Sequence, residues 1–281
     1  MTRKSRAPLC FVAPALVLWH DAGMRSIGAA RSPEPPGAAD RPGGLALSVP
    51  RTARERARAE ITREILEAGR RHLATDGAAA LSLRAIAREL GMASSAVYRY
   101  VASRDDLLTR LIIDAYDSLG AAAEATEAGQ ARADLFGRWS AICQAVRGWA
   151  LANPNEYALI YGSPVPGYVA PPDTVAPASR VTTRLMWIII DAAEAGRIPA
   201  ADLQAPADAT AAALAPIRSY LPPGIPAPFI QRALMAWTGL FGVVSFELYG
   251  QLHQVVGEEP ADRDTFFAEC IRRWLDFLDF G

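Results

Sequence analysis

The chain has 281 residues, of which 51% are hydrophobic and 21% are charged, a balance typical of folded proteins and not of disordered ones. Its net charge of -1 is unevenly divided: residues 1–110 hold 18 basic side chains against 11 acidic ones, and residues 111–281 hold 11 against 19. Lys4 is the only lysine, which excludes a lysine-ended phosphate loop and a Schiff-base lysine in a folded core. The basic front half indicates that one part of the chain meets a polyanion.

The chain also lacks the motifs of common enzymes and metal proteins. The cysteines Cys10, Cys143 and Cys270 are far apart, and the three histidines have no metal-ligand spacing. The sequence contains no nucleophile elbow, no dinucleotide fingerprint and no nucleophile–base pair. We therefore predict a protein that is not an enzyme and that needs no metal and no cofactor.

Residues 1–50 are predicted to form a disordered N-terminal extension. Residues 31–44 are rich in Pro and Gly and have no periodicity, as in a linker. The apolar run Leu9–Trp19 follows basic residues and resembles the apolar part of a secretory signal. It is shorter than the ~20 residues of a membrane span, and Pro14 interrupts it. The favoured interpretation is a non-folding extension with Met24 as an alternative start, and the other is export of the protein.

From residue 52 onward the spacing of apolar residues is helical. Thr52 and Glu55 form a capping box that opens a first helix over 53–75, which Gly77 ends. Ser82 caps a short second helix that runs to Leu90, and a third helix is predicted over about 94–101. These elements predict three helices in the first structured part of the chain.

The turn between the second and third helices has the spacing of a helix-turn-helix. Ala87 is a small residue at the point where the two helices touch, and Gly91 forms the turn. The apolar Val97 of the third helix fixes the angle at which the two helices cross. The third helix would then enter the major groove of DNA. A capping box that starts at Ser103 opens a long fourth helix over about 104–126.

Residues 75–107 resemble the DNA-binding domain of the TetR family of bacterial transcriptional regulators. The resemblance is carried by the stretch from Tyr98 to Leu107, in which Val101 replaces the usual Phe and Arg104 replaces the usual Lys. Ala93 stands where the family often has a capping Ser or Thr, so Ser94 is expected to cap the third helix. The resemblance implies a DNA-binding regulator of transcription.

We predict ten DNA-contacting residues in this region. Arginines at the start of the first helix would reach the backbone or minor groove, and the second helix would offer a capping hydroxyl and an arginine. The resemblance implies that Tyr98 contacts a phosphate or a thymine methyl group and that residues 94–96 face bases. Val97 and Val101 should point inward, and Tyr100 suits either packing or DNA contact. The predicted contacts are Arg54, Arg58, Ser82, Arg84, Ser94, Ser95, Ala96, Tyr98, Arg99 and Arg104.

The rest of the chain is predicted to be helical. The expected helices cover about 130–152, 153–161, 176–195, 206–220, 228–255 and 261–279, with a loop over 162–173. Residues 234–248 are apolar on all sides but shorter than a membrane span, so we expect burial on more than one side and no membrane partner. The surplus apolar surface of the last two helices predicts a homodimer interface.

The predicted fold is therefore all-α, with a three-helix DNA-binding domain over 51–103 and a helical bundle for ligand binding and dimerisation over 104–281. Residues 153–168, with Trp237 and Gly242, resemble the ligand-binding domain of a TetR branch that carries a Trp-His-Gly signature. Phe241 stands in place of that His, which leaves any role of the His without a counterpart here. The predicted pocket residues, for a small apolar effector, are Trp139, Trp149, Tyr157, Tyr161, Met186, Trp187 and Phe241.

Together these patterns predict a cytoplasmic, ligand-responsive repressor that binds a near-palindromic operator in double-stranded DNA as a dimer. An activator on the same fold is an alternative. A second alternative, from another functional class, is an exported helical protein that binds a small molecule.

Overall fold

The computed structural model describes residues 52–198, 208–219 and 221–279, and these residues contain helices and no β-strand. The all-α prediction is confirmed. The predicted disordered extension lies outside the described residues. The helices are α1 Ala53–Ala80, α2 Leu83–Glu89, α3 Ser94–Val97, α4 Arg104–Glu127, α5 Leu135–Ala152, α6 Pro154–Tyr161, a 3₁₀ turn Pro172–Thr174, α7 Val175–Glu194, α8 Asp208–Ala213, α9 Ala215–Arg218, α10 Ala227–Leu248 and α11 Pro260–Leu278.

The first three helices and the start of α4 form a small unit that we call the head. Its core holds Ile65 of α1, Ile86 and Ala87 of α2, and Val97 and Val101 at and after α3, all of them buried. Gly91 has a φ of +65°, a left-handed conformation that favours glycine in the turn between α2 and α3. The head therefore has the helix-turn-helix arrangement that the spacing predicts.

Several boundaries differ from the prediction. α1 continues to Ala80, although Gly77 interrupts its helical backbone with a φ of +76°. α3 is only one turn long, and its N-cap Ala93 makes no side-chain capping bond, so the prediction that Ser94 caps this helix is wrong. Without a capping side chain α3 depends on its packing in the head for stability.

The later helices also begin or end at other residues than predicted. α5 starts at Leu135 because Asp134 caps it by accepting a hydrogen bond from the Gly137 N–H at 2.8 Å. The helix predicted over 206–220 is divided at Leu214 into α8 and α9 within the described residues. α10 ends at Leu248, where the chain turns through Gly250 at a φ of +80°.

α4 belongs to two hydrophobic cores. Leu107, Leu108 and Leu111 are buried in the head, whereas residues from Ile112 onward are buried in a second, larger core. We call the helices around that second core the rear bundle: the rest of α4 with α5 to α11. The same rigid helix thus carries both units.

In the rear bundle, α4 packs on α5, α6 and α7, and α10 packs on α5 and α11. By length and composition α10 is apolar enough to cross a membrane, but one such helix is weak support for a span. Its buried stripe, which includes Phe229, Ala236 and Leu240, faces the bundle core. Burial on more than one side of this helix is expected from the sequence, but within one chain the buried residues form a single stripe, and Met235 and Phe246 on another side are more than half exposed.

Two networks of charges lie between these helices, and each contains a buried ion pair. Arg138 of α5 donates to Glu127 of α4 at 2.9 Å and to Asp191 of α7 at 2.6 Å. Burial acts to raise the pKa of Asp191, but hydrogen bonds from Arg132 and Arg138 outweigh it and hold the pKa below its usual value. These ion pairs fix α4, α5 and α7 relative to one another.

The second network joins α5 to the last two helices. Arg147 donates to both carboxylate oxygens of Glu247 on α10 at 2.7 Å and to Asp264 on α11 at 2.7 Å. Its guanidinium also lies 5.1 Å from the ring centroid of Phe267. Because one side chain contacts both helices, it helps to set their mutual orientation.

Candidate nucleic-acid interface and ligand cavity

The side chains around α3 form an exposed surface on the head. Ser94, Ser95 and Arg99 are exposed and Ala96 is partly so. Tyr98 is 49% exposed, whereas a tyrosine ring that contacts no other molecule usually packs against its own protein. Val97 and Val101 are buried, as predicted. The side chains around α3 therefore form a polar surface that faces solvent.

Arg58 of α1 contacts the chain segment that follows α3. Its Nη2 donates to the backbone carbonyl of Arg99 at 2.9 Å, and its guanidinium lies 5.6 Å from the centroid of the Tyr100 ring. Tyr100 is only partly exposed and packs on the head core. Arg58 therefore positions the end of the α3 segment, and this contact could not be read from local sequence because 41 residues separate the two partners.

The other predicted contacts lie at helix ends around the head. Arg54 and Arg84 are exposed on α1 and α2. The Ser82 hydroxyl caps α2 by accepting from the Ala85 N–H at 3.5 Å. Arg104 is turned toward the end of α1, where it donates to the carbonyls of Ala78 at 2.9 Å and Leu81 at 3.2 Å. Arg104 thus holds α4 against α1, a structural contact that the sequence did not reveal.

A cavity of about 100 Å³ lies in the rear bundle between α5, α7, α9 and α10. Trp139 and Met186, both predicted pocket residues, line it. The remaining wall residues lie on three helical faces and one loop: Ser179, Thr182, Thr183, Leu185 and Ile189, then Ile217 and Leu221, then Ile230, Ala233, Leu234 and Trp237. Along α7 and α10 the wall residues recur every three or four positions, which places them on one face of each helix. The sequence contains this pattern, but the prediction did not use it to choose pocket residues.

The other predicted pocket residues lie elsewhere. Tyr157, Tyr161 and Phe241 form an aromatic cluster beside the cavity, with ring centroids 5.1 Å apart for the two tyrosines and 4.6 Å for Tyr161 and Phe241. Burial raises the pKa of Tyr157 to about 12 and that of Tyr161 well above its usual value, so both phenols stay neutral. Trp149 donates to the Ser118 hydroxyl at 2.9 Å.

Trp237 belongs to both the cavity and the aromatic cluster. It lines the cavity, and its ring centroid is 5.9 Å from that of Phe241. Trp187, the last predicted pocket residue, is partly exposed and is not part of the cavity wall. Two ring contacts therefore connect the cavity wall to Tyr161.

The aromatic cluster also contacts the elements that carry the head. Tyr161 ends α6, and α6 packs on both α1 and α4. Leu159 of α6 and Tyr168 pack against both hydrophobic cores, and the Tyr168 hydroxyl lies 2.9 Å from that of Thr109 on α4. The cavity and the α3 surface are thus joined by a continuous set of packed side chains.

Two family profiles match the chain. Residues 65–111 match the profile of bacterial regulatory proteins of the tetR family, and residues 139–274 match that of the tetracyclin repressor-like C-terminal domain. HTH-type transcriptional regulator Mb1846 of Mycobacterium bovis is 46% identical over 209 residues, which cover 70% of this chain and 85% of the relative. Regulator Rv1816 of Mycobacterium tuberculosis gives the same values. The chain belongs to the TetR family of transcriptional regulators.

Solved structures agree with this assignment. Regulatory protein SCO4313 superposes with a TM-score of 0.63 at 37% identity, over 80% of this chain and 100% of that one. A Rhodococcus protein of unknown function superposes with a TM-score of 0.54 at 24% identity, over 76% and 94%, and shows the fold alone. The named relatives are regulators and not enzymes. Among the described residues of this TetR-family chain, no group of three or more His, Cys, Asp or Glu side chains is placed to hold a metal ion.

Replacing the exposed tyrosine tests the α3 surface of this TetR-family protein. We expect Tyr98→Ala to weaken binding to the cognate operator by about 1–3 kcal/mol, because a base or phosphate contact is lost without a change in the head core. Fluorescence anisotropy with labelled operator DNA measures the change. Leu151→Ala, which truncates a similarly exposed side chain in the rear bundle, is the control. If Tyr98→Ala bound the operator as tightly as the native protein does, Tyr98 would not be a DNA contact.

Arg104 is expected to affect both folding and DNA binding. Arg104→Ala should reduce the free energy of unfolding by about 1–3 kcal/mol, because the carbonyls at the end of α1 lose a charged donor. If the guanidinium also meets a phosphate, the slope of log affinity against log salt should fall by about one unit. Arg104→Lys keeps the charge but not the fork of donors, so it should retain the slope and lose stability. Unfolding curves and salt titrations separate the two effects.

Proposed function

We propose that this TetR-family protein is a cytoplasmic, ligand-responsive repressor that binds a near-palindromic operator as a homodimer. The observation that carries the proposal is the packed connection from an apolar cavity, through Trp237, Phe241 and Tyr161, to the helices that hold the head. Through such a connection, a change at the cavity can alter the position of the head. The proposed division is a DNA-binding domain over 51–103 and a ligand-binding and dimerisation domain over 104–281.

DNA binding is proposed to occur through the α3 surface. Major-groove readout needs short polar or apolar side chains on an exposed helix together with cations that meet phosphates. Ser94, Ser95 and Tyr98 supply the first kind, and Arg54 and Arg84 supply exposed cations on neighbouring helices. Arg58 is proposed to act by fixing the α3 segment, since its guanidinium is already bound to that segment.

Dimerisation is proposed to occur through α10 and α11. Met235 and Phe246 of α10 are more than half exposed, and Phe266 and Phe277 of α11 are exposed as well. Gly242 lies on the same side of α10 as Met235 and Phe246, and a Cβ built there would meet nothing within 4 Å. Apolar side chains beside a glycine suit the close approach of a second helix, and members of the family act as dimers.

The effector is proposed to act by a population shift. A ligand that binds the cavity better in one dimer geometry will favour that geometry, and the spacing of the two heads changes with it. Two half-sites one helical turn apart, about 34–36 Å, accept only one head spacing. Release from the operator follows when the favoured spacing no longer matches the half-sites.

Footprinting on the DNA upstream of the gene that encodes the protein tests the proposal. We expect protection of an inverted repeat that weakens as salt rises. A reporter assay with and without the gene separates a repressor, whose loss raises expression, from an activator, whose loss lowers it. Absence of any salt-sensitive preference for an inverted repeat would contradict the proposed function, and recovery of the protein outside the cytoplasm would favour the exported alternative.

A further inference from the structure

We infer that a turn formed by residues 165–168 sets the direction in which the head leaves the rear bundle, and thereby selects the half-site spacing that the dimer accepts. Tyr168 is the positioning residue of this turn, and it acts through Thr109 of α4. The selection of a spacing rests on the proposed function, because it needs two heads on one operator. The orientation of the head within one chain does not rest on it.

The sequence of the turn favours one backbone conformation. Residues 165–168 are Val, Pro, Gly and Tyr, and the Tyr168 N–H donates to the Val165 carbonyl at 3.2 Å. Pro166 suits the second position of a type II turn, and Gly167 at the third position has a φ of +79°, in the left-handed region that such a turn requires. The turn is therefore specified by its own residues.

The outer residues of the turn pack on the head, and the central residues face solvent. Val165 and Tyr168 are partly buried against the head core, whereas Pro166 and Gly167 are exposed. Leu159 of α6 packs against the same core. Because Leu159 and Tyr168 also pack on the core of the rear bundle, they form one apolar contact between the two units.

A hydrogen bond fixes the position of the turn on α4. The Tyr168 hydroxyl lies 2.9 Å from that of Thr109, which itself donates to the Asp105 carbonyl at 2.8 Å. A hydroxyl has one proton to donate, so Tyr168 is the donor to Thr109. Burial raises the pKa of Tyr168, which keeps the phenol protonated for this bond. Thr109 lies between Leu108 and Leu111, both buried in the head core, so the bond reaches the part of α4 that carries the head.

The head is thus attached to the rear bundle at two places. α4 passes from one core into the other, and α6 packs on both α1 and α4. The Tyr116 hydroxyl of α4 donates to the Ile160 carbonyl at 3.2 Å, which holds α6 in place. A unit attached through one helix alone can change its angle by a small bend of that helix, and a second attachment removes this freedom. The turn and the end of α6 form the second attachment.

The angle of each head determines the distance between the two α3 surfaces of a dimer. Each added base pair moves two half-sites apart by about 3.4 Å and rotates one against the other by about a tenth of a helical turn. A pair of heads held at a fixed angle accepts one spacing, and a pair with variable angles accepts several. We therefore expect the native dimer to be selective and a dimer with a weakened turn to be tolerant.

Operators with altered spacing test the inference on the full-length protein. Selection from a pool of random DNA duplexes with the native protein supplies the repeat, whose central spacer is then shortened or lengthened by one and two base pairs. A duplex with one half-site measures the head alone. We expect a change of one base pair to reduce the affinity of the native protein by about tenfold or more, because avidity requires both heads to bind at once. Fluorescence anisotropy measures the affinities.

Gly167→Ala weakens the turn without a steric clash. A Cβ built at Gly167 meets nothing within 4 Å, so the change acts through the left-handed backbone, which alanine disfavours. The penalty for one base pair should fall below about threefold, while affinity for one half-site stays native. Gly196→Ala is the matched control: Gly196 has a φ of +66° and equally open space, but it follows α7, whose Asp191 pairs with Arg138 beside the C-terminal end of α4.

Two milder variants assign the effect to the hydroxyl bond. Tyr168→Phe keeps the ring and Thr109→Val keeps the branched side chain, and each should reduce the spacing penalty by about threefold. The double variant should go no further than either single one, because the same bond is lost. Val169→Ala changes the next residue, which is 85% exposed, and should keep the native selectivity. Circular dichroism checks that every variant is folded.

The distance between the two heads is measured without DNA by double electron–electron resonance. A nitroxide attached at Glu64→Cys, an exposed position of α1, marks each head, with Cys10 and Cys270 replaced by Ser. Cys143 does not react, because it is buried and burial raises the pKa of its thiol. We expect a narrow distance distribution for the native protein and a broader one for Gly167→Ala.

Three results would overturn the inference and leave the proposed function standing: a spacing preference that Gly167→Ala retains, a loss of affinity for one half-site in that variant, or native binding to all spacings alike. Equal widths of the two distance distributions would also overturn it. If the distribution broadens but selection yields no inverted repeat, the proposed function and the selection of a spacing fail together, and the positioning of the head stands. A monomer, which gives no dipolar signal, would overturn both.

Discussion

Phe246→Arg is expected to separate the dimer and to weaken operator binding by about 100-fold or more. Phe246 is 55% exposed on α10, on the side of the helix opposite its buried stripe. A guanidinium at this position would have to be desolvated beside a second copy of itself across a two-fold axis. Two linked heads bind two half-sites with an avidity that a single head lacks, which sets the size of the loss.

Analytical ultracentrifugation and anisotropy with operator DNA measure this result. Leu151→Arg is the matched control, because it places the same charge on α5 at a leucine that is 43% exposed. The control should remain dimeric and bind DNA with native affinity. If the Phe246→Arg protein were still dimeric at nanomolar concentration, this face of α10 would not be the dimer interface.

Arg147→Ala is expected to lower the free energy of unfolding by about 3–5 kcal/mol. Arg147 and Glu247 have side chains that are 9% and 7% exposed, so removal of the guanidinium leaves the Glu247 carboxylate buried and uncompensated. The contacts of Arg147 with Asp264 and with the Phe267 ring are lost in the same step. Chemical unfolding followed by circular dichroism at one fixed protein concentration measures the change.

Two further variants show whether burial causes that loss. Arg273→Ala removes an arginine from the exposed pairing with Glu269 and should change stability by no more than about 1 kcal/mol. The double variant Arg147→Met with Glu247→Leu removes both buried charges and should recover most of the stability. A double variant as unstable as Arg147→Ala would show that packing, and not the unpaired charge, dominates.

The fold of the head was predictable because its signals are local. The caps at Thr52, Ser82 and Ser103 and the turn at Gly91 each depend on residues within four positions of one another. The length of α3 was not predictable in the same way. Its single turn ends at Val97 because the core contacts of Val97 and Val101 decide where the chain bends, and those contacts are tertiary.

The candidate site was predictable only in part, for a similar reason. Trp139 and Met186 line the cavity, but Tyr157, Tyr161 and Phe241 lie in the neighbouring cluster. Aromatic identity alone does not say which face of a helix meets a void. The network around Arg147 joins residues 100 and 117 positions apart, a pairing that the spacing of charges along one chain does not encode.

If the proposed ligand response holds, α4 would act as a lever between the two cores. Its 24 residues span about 36 Å at 1.5 Å per residue, and the head is attached at one end. A tilt of about 5° at the bundle end would displace the other end by about 3 Å, which is the length of a hydrogen bond. Because each protomer would carry such an arm, a repacking too small to see in the bundle itself would suffice to move both sets of base contacts out of reach.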